Sequence, residues 1–153
     1  MPDFSKATHR VCAACGSVNR VVPDKPFTSA RCAKCQTPLA SPHPIEIEQD
    51  KALILLDRDG GHFLIDVWAP WCGPCLQFAP HFAQTAARFY GQARFFKVNA
   101  DDSPALSQRL GVRGIPALFL FKNGKQVSHR AGAVPVDALV NWIESDLHLK
   151  ATA

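Results

Sequence analysis

The clearest hydrophobic pattern in the chain runs from residue 63 to residue 89, where a buried strand leads directly into an amphipathic helix. Phe63 to Ala69 alternates β-branched and aromatic side chains, as a buried strand does. Apolar residues then recur at steps of three and four, and Gly91 stands where the helix is expected to stop. The recurring positions are Cys75, Phe78, Ala79, Phe82, Ala86 and Phe89. Because Pro74 has the backbone angle of a first helical turn, Cys72 is predicted to lie at the helix N-terminus.

The same patterns predict further strands and helices on both sides of this unit. Strands are expected at residues 45–47, 94–99, 116–121 and 126–131, and helices at 50–58, 104–110 and 136–147. Ser103 is expected to cap the second of these helices. Asn123-Gly124 predicts a hairpin, which makes the last two strands antiparallel. This order predicts an α/β fold in which a mixed sheet carries helices on both faces.

Residues 1–44 lack such a pattern and are predicted to form a separate small unit that ends in a stiff, proline-rich linker at 37–44. They hold four of the six cysteines, in the pairs Cys12-Ala-Ala-Cys15 and Cys32-Ala-Lys-Cys35. Two pairs at this spacing offer four sulfurs to one tetrahedral Zn²⁺. A structural zinc ion contributes on the order of 10 kcal/mol to the folding of so small a unit. Two further redox dithiols, or loose thiols, are the alternative interpretation.

Composition and charge narrow the expected compartment and partners. Hydrophobic residues make up 47% and charged residues 20% of the chain, which is typical of a packed protein. The formal net charge of +4 lies entirely in residues 1–44, where the only aromatic residues are Phe4 and Phe27. Nucleic acid is therefore an unlikely partner. The chain shows no transmembrane run and its first residues lack a secretory signal, so we expect a cytoplasmic protein with no membrane partner. We also expect it to be a monomer.

The predicted position of Cys72 favours thiol redox chemistry. Unpaired N–H groups and the positive end of the helix dipole stabilise a thiolate over a thiol. These contacts lower the pKa of a thiol by roughly one unit from its usual value of about 8.5. A lone Cys-x-x-Cys is nevertheless weak evidence, since metal-binding knuckles share the spacing.

Several motifs together resemble the thioredoxin family over about residues 45–150. They are Trp-Ala-Pro-Trp-Cys-Gly-Pro-Cys at 68–75, Asp66 six residues before the first cysteine, Gly114-Ile115-Pro116, Phe121-Lys122-Asn123-Gly124 and Gly132. The four-cysteine segment, with Phe78-Ala79-Pro80 and Gly132-Ala133-Val134-Pro135, resembles the zinc-containing thioredoxin 2 branch. The resemblance implies a thioredoxin-like three-layer sandwich at residues 45–153, preceded by a zinc ribbon and linker at 1–44.

The resemblance also implies the activity and the residues that perform it. A general protein disulfide reductase is expected, recharged by thioredoxin reductase and acting on disulfide-containing proteins. Cys72 is the implied nucleophile, Cys75 the resolving thiol and buried Asp66 the proton acceptor, with Lys97 as a moderating cation. Substrate is expected to dock at Trp71, Gly73, Pro74, Ile115, Pro116 and Gly132, around a cis Ile115–Pro116 peptide. We expect Trp71 to be partly exposed and Trp68 to be buried.

One departure and two alternatives stay open at this point. Leu76 stands where many family members carry a basic residue, so a more apolar rim is expected around the dithiol. A disulfide oxidase or isomerase is the first alternative, although such enzymes usually carry His between the cysteines and this chain has Gly73-Pro74. The second is a zinc-ribbon binding module with an accessory redox domain. The zinc site itself also stays open between a permanently structural centre and a redox-responsive one that releases its metal on oxidation.

Overall fold

The computed structural model describes residues 7–153; residues 1–6, and with them Phe4 and the start of the predicted 1–44 unit, lie outside the described residues. The strands are β1 (Thr8–Val11), β2 (Val18–Val21), β3 (Ile45–Glu46), β4 (Phe63–Trp68), β5 (Arg94–Asn99), β6 (Ala117–Lys122) and β7 (Lys125–Ala131). The helices are α1 (Gln49–Arg58), α2 (Gly73–Arg88), α3 (Pro104–Leu110) and α4 (Val136–Leu147). Short 3₁₀ turns lie at Phe27–Ser29 and Ala100–Asp102. No helix within residues 7–153 has the length and apolar character needed to cross a membrane.

Strands β3 to β7 form one mixed sheet in the order β3-β5-β4-β6-β7. Strand β5 runs parallel to both β3 and β4, whereas β6 is antiparallel to β4 and β7 is antiparallel to β6. Both residues of the Asn123-Gly124 turn have positive φ, which fits the tight hairpin predicted there. The central strand is β4, and it leads to the dithiol.

Helices cover both faces of this sheet. The side chains of β4 alternate between the two faces, so the strand packs against helices on each side. Phe63, Ile65 and Val67 pack on one face with Leu55 of α1 and Leu106 of α3. Leu64 packs on the other face, in a cluster to which α2 contributes Phe78 and Phe82 and α4 contributes Leu139 and Ile143. The predicted three-layer α/β sandwich is confirmed.

The N-terminal segment forms a small ribbon in which β1 and β2 pair antiparallel, with Thr8 opposite Val21. Part of the stretch predicted as a linker belongs to this ribbon. Pro38 forms an isolated bridge with Arg31, the amide of Leu39 donates to the carbonyl of Ala30 at 3.0 Å, and Leu39 is buried. The extended connection to β3 is therefore shorter than the proline pattern indicated.

The cap predicted for α3 differs from the one observed. Ser103 occupies the N-cap position, but its side chain makes no capping hydrogen bond. The side-chain oxygen of Gln49 instead accepts from the amides of Ala105 and Leu106, at 2.7 and 3.2 Å. A residue 56 positions away in sequence thus satisfies the helix terminus, and no local pattern predicts such a contact. Gly111 ends the helix as predicted, with φ of 72°.

Candidate functional site

The two cysteines of the Cys-x-x-Cys lie where the central strand β4 passes into α2. Cys72 is the N-cap of α2 and Cys75 lies in its first turn. The backbone amide of Cys75 donates to Cys72 Sγ at 3.2 Å, and the two sulfurs are joined as a disulfide. Both residues are buried, at 5% and 2% exposure. The helix terminus thus directs an N–H at the first sulfur, which is the contact that stabilises a thiolate after reduction.

The loop before β6 forms the second wall of the site. The Ile115–Pro116 peptide is cis, as expected. The carbonyl oxygen of Ile115 lies 3.8 Å from Cys72 Sγ, and Ile115 packs against the cysteine pair. Gly132 donates its amide to the carbonyl of Pro116 at 2.9 Å and has φ of 89°, a conformation that favours glycine. Cys72, Ile115, Pro116 and Gly132 are therefore close together.

The rim of the dithiol is formed by exposed, mostly apolar residues. Trp71 is 70% exposed and Leu76 is 54% exposed, and Gly73 and Pro74 between them are also exposed. The indole N–H of Trp71 donates to the carboxylate of Asp101 at 3.1 Å, which holds the ring over the surface. The predicted exposure of Trp71 is confirmed.

Trp68 differs from its prediction. Its side chain is half-buried rather than buried, and it packs against the cysteine pair. The difference follows from its position at the last residue of β4, where the helices no longer cover the sheet completely. The Nζ atom of Lys97 lies 4.3 Å from the centre of its ring, a cation–π contact.

Asp66 is the buried ionisable group nearest in sequence to the Cys72–Cys75 pair. It is 1% exposed, and its Oδ1 has no hydrogen-bond partner among the described residues. Burial raises the pKa of Asp66 to about 7, while Lys97 lowers this pKa and Glu46 raises it. Lys97 lies opposite Asp66 in the β4–β5 register, and its Nζ is 3.9 Å from a carboxylate oxygen of Glu46. Burial is thus the main reason that this pKa lies near neutral pH.

The four cysteines of the ribbon form a candidate metal centre. Their Sγ atoms all lie within 4.8 Å of one another, and the Cys12–Cys35 and Cys15–Cys32 sulfur distances are both 3.6 Å. A tetrahedral Zn²⁺ with Zn–S bonds of about 2.3 Å holds its sulfurs about 3.8 Å apart. The four residues therefore fit one zinc ion, which would supply a structural cross-link and no open coordination position.

The backbone around the two cysteine pairs repeats one pattern. The carbonyls of Cys12 and Cys32 accept from the amides of Gly16 and Gln36, both at 2.8 Å, and both of these donor residues have positive φ. A hydroxyl lies 3.2 Å from the second sulfur of each pair, from Ser17 in one and Thr37 in the other. Two equivalent knuckles thus face each other across the centre.

Comparison with known proteins decides the family. The family model described as Thioredoxin matches residues 45–145. The chain belongs to the thioredoxin family. Thioredoxin C-3 of Corynebacterium nephridii is 36% identical over 137 residues, which are 90% of this chain and 94% of that protein. The thioredoxin of Haemophilus influenzae is 44% identical over 84 residues, covering 55% of this chain and 78% of the relative.

A solved structure gives the same result. A mutant thioredoxin from Halobacterium salinarum NRC-1 matches with a TM-score of 0.64 and 34% identity, over 71% of this chain and 94% of that one. The alignment with the Corynebacterium nephridii thioredoxin is longer than residues 45–153, so it extends into the N-terminal segment. As a member of the thioredoxin family, the chain is a thiol–disulfide oxidoreductase that reduces protein disulfides.

Two residues of the thioredoxin site were not predicted from the sequence. Glu46 lies beside Lys97 because β3 pairs with β5, an arrangement that only the strand order reveals. Asp101 accepts from Trp71 across 30 residues of sequence. Its only signal in the sequence was its position two residues after the end of β5, which is too common to single it out.

Proposed function

We propose that this chain is a general protein disulfide reductase of the zinc-containing thioredoxin 2 branch. The observation that supports it most directly is the backbone N–H of Cys75 on Cys72 Sγ at the start of α2, 3.2 Å away. A donor fixed in this position favours an anionic sulfur. The absence of a charged side chain from the Gly73-Pro74 pair between the cysteines is consistent with a reductase rather than an oxidase.

The proposed reaction moves two electrons from the dithiol to a target disulfide. In the reduced protein, Cys72 attacks one sulfur of the target as a thiolate, which forms a mixed disulfide and releases the other target sulfur as a thiolate. Cys75, one helical turn away, then attacks Cys72 Sγ and releases the second target sulfur. The protein is left with the Cys72–Cys75 disulfide, the state in which the cysteines are joined here.

Asp66 is proposed to accept the proton of Cys75 during the second step. A carboxylate whose pKa is raised to about 7 by burial is a suitable base at neutral pH. Lys97 is proposed as the moderating cation, because it lowers that pKa and is itself restrained by Glu46 and the ring of Trp68. Both are assigned on their packing rather than on any contact with substrate.

Target segments are proposed to dock across the exposed rim and the cis-proline loop. Trp71, Gly73 and Pro74 supply one side, and Ile115, Pro116 and Gly132 supply the other. The exposed Trp71 ring and the free approach at Gly132, where a Cβ would meet no atom within 4 Å, leave room for an extended backbone. Thioredoxin reductase and disulfide-containing proteins are the proposed partners.

The N-terminal unit is proposed to bind one structural Zn²⁺ through Cys12, Cys15, Cys32 and Cys35, with domain limits at 1–44 and 45–153. The sulfur distances support this set of ligands. The chain is proposed to act as a cytoplasmic monomer. Measuring zinc in the purified protein, before and after replacement of Cys32 by Ser, tests the metal assignment.

Insulin-disulfide reduction tests the redox assignment. Cys72→Ser should abolish turnover, because the sulfur at the helix N-terminus is lost and the remaining Cys75 is buried, at 2% exposure. Cys75→Ser should also abolish turnover while leaving a mixed disulfide between Cys72 and the target, visible as a mass increase. Val127→Ser, at an exposed position of β7, serves as the control and should stay active. A fully active Cys72→Ser variant would contradict the assigned roles.

The reduction potential separates a reductase from an oxidase or isomerase. Equilibration of the Cys72–Cys75 pair with glutathione redox buffers gives this potential directly. The reductase assignment requires a value clearly below that of the cellular glutathione pool. A value near or above the pool would favour the oxidase or isomerase alternative.

A further inference from the structure

The N-terminal ribbon packs on the end of the sheet that is farthest from the dithiol. It contacts the segment that precedes β4, where the amide of Gly60 donates to the carbonyl of His9 at 2.7 Å, and the start of β5. Val11 is completely buried in the same apolar cluster as Leu55 and Phe63. The ribbon therefore completes part of the hydrophobic core of residues 45–153.

A buried carboxylate lies at the centre of this contact. The side chain of Asp59 has no exposed surface. It accepts hydrogen bonds from the amides of Val11 and Gly61, at 2.7 and 2.9 Å, and from the guanidinium of Arg94. Val11 and Arg94 donate to Oδ1 and Gly61 donates to Oδ2. The Nε atom of Arg10 lies 3.5 Å from the same Oδ2 atom. Asp59 thus binds one cation from the ribbon and one from the sheet.

Arg94 connects the same cluster to both halves of the ribbon. It is the first residue of β5 and is 2% exposed. Its Nη1 atom donates to the carbonyl of Val11 at 2.7 Å and more weakly to the carbonyl of Leu39 at 3.5 Å. The ring of Phe27 packs against the cluster, with its centre 3.9 Å from the Arg10 guanidinium and 5.8 Å from that of Arg94.

The positions of these contacts relate them to the metal centre. Val11 directly precedes the first cysteine of one knuckle, Cys12, and Leu39 follows the last cysteine of the other, Cys35, by four residues. A zinc ion bound by both knuckles would fix the separation of the two carbonyls to which Arg94 donates. Loss of the metal frees the knuckles and removes acceptors from a buried guanidinium, which is strongly unfavourable.

We propose that the Arg10–Asp59–Arg94 cluster couples the zinc ribbon to residues 45–153, so that zinc occupancy sets the stability of the whole chain, which unfolds as one cooperative unit. The inference rests on the proposed zinc site and is independent of the proposed reductase activity. It also means that the limit between residues 44 and 45 is a change of sequence pattern and not a boundary in stability.

Calorimetry and hydrogen exchange on the oxidised full-length chain, zinc-loaded and stripped with a chelator, test this coupling. Stripping should lower a single melting transition by more than about 5 °C. It should also speed amide exchange in β5, which lies outside the ribbon. Two separate transitions, with the upper one unchanged by zinc, would overturn the proposal. So would a purified chain that binds no zinc.

Substitutions in the cluster show whether these residues carry the coupling. Arg94→Met should remove most of the effect of zinc on β5 exchange, and the milder Phe27→Leu should reduce it. Arg109→Met is the matched control, because Arg109 pairs with Asp57 at the surface, at 44% and 57% side-chain exposure. If Arg94→Met and Phe27→Leu both keep the full zinc effect, the cluster does not transmit it. Insulin reduction by the zinc-loaded chain, measured in parallel, keeps this result separate from the reductase assignment.

Discussion

One buried aspartate precedes strand β4 and another lies within it, and the two carboxylates differ in their hydrogen-bond partners. Asp59, before the strand, is 5% exposed as a whole residue and has no exposed side-chain surface. Its carboxylate accepts from two backbone amides and Arg94, with Arg10 also within ion-pair distance. Asp66, within the strand, is 1% exposed and has one oxygen without any partner in the part of the chain that the structure describes. The two carboxylates are thus similarly buried, but one has several hydrogen-bond donors and the other has an oxygen with none.

This difference separates a structural role from a chemical one. A buried carboxylate with several donors is held as an anion and stabilises whatever those donors belong to. A buried carboxylate without donors resists ionisation, so its pKa rises towards neutrality and it becomes able to take up a proton. The ribbon end of the sheet therefore holds a carboxylate with several donors, and the dithiol end holds the carboxylate that we propose as the proton acceptor.

Replacing Asp59 should have the largest effect on stability. We expect Asp59→Ala to lower the free energy of unfolding by about 5 kcal/mol, because it leaves Arg94 and two amides buried without their acceptor. Urea unfolding followed by tryptophan fluorescence measures the change. Activity per folded molecule should be unaffected, since the dithiol lies at the other end of β4.

Asp57→Ala is the control for that experiment. Asp57 also pairs with an arginine, Arg109, but more than half of its side chain is exposed. We expect a change of less than about 1 kcal/mol, as for other surface ion pairs. A similar loss in both variants would mean that burial does not set the importance of Asp59.

Replacing Asp66 should change how the free energy of unfolding depends on pH. The pKa of Asp66 is about 7 in the folded protein against 3.8 for the free side chain, so the folded state holds a proton that the unfolded state releases. The stability that this proton confers is complete below about pH 4 and is lost as the pH rises to about 7. The loss amounts to roughly 4 kcal/mol. Asp66→Asn should remove it.

Unfolding of the oxidised protein between pH 4 and pH 8 measures this effect, with the difference between wild type and Asp66→Asn plotted against pH. If Asp66 is the proton acceptor as proposed, reduction of insulin by the same variant should be slower by about 100-fold near neutral pH. Lys97→Met is the matched test of the local field. It should raise the pKa of Asp66 further and so move the pH range over which stability is lost to higher pH. An unchanged pH range would show that Lys97 does not act on Asp66.

The sequence was sufficient to predict the fold because its signals are local. The alternation in β4, the apolar stripe of α2 and the Asn123-Gly124 turn each depend on neighbouring residues, and all three are present. The contacts that were not predicted all join distant residues. Gln49 caps α3 from another helix, and Arg94 reaches the ribbon from 83 positions away. Hydrophobic patterns carry no information on such pairs.

The residues of the site likewise fall into those that local motifs predicted and those that were missed because their contacts are distant in sequence. The cysteines, Asp66 and the cis proline were predicted through motifs of fixed spacing, and the geometry brings Cys72, Cys75 and Ile115 together. Glu46 and Asp101 were missed because each acts on a site residue through the sheet or across a loop. Trp68 was placed too deep because alternation predicts which face a side chain occupies, and not how completely that face is covered at the end of a strand.

The smallest effect is expected at the rim of the dithiol, where Leu76 is 54% exposed and lies one helical turn beyond Cys72. Leu76→Lys should weaken the docking of disulfide peptides with apolar residues beside the cysteine by about 1 kcal/mol, or about fivefold in KM, because part of an apolar contact is lost. The kcat should stay constant, since neither cysteine changes. Peptides with acidic flanking residues should gain affinity by a similar factor. Val127→Lys introduces the same charge at an exposed aliphatic residue of β7, and equal effects of the two variants on KM would place the cause in net charge rather than at the rim.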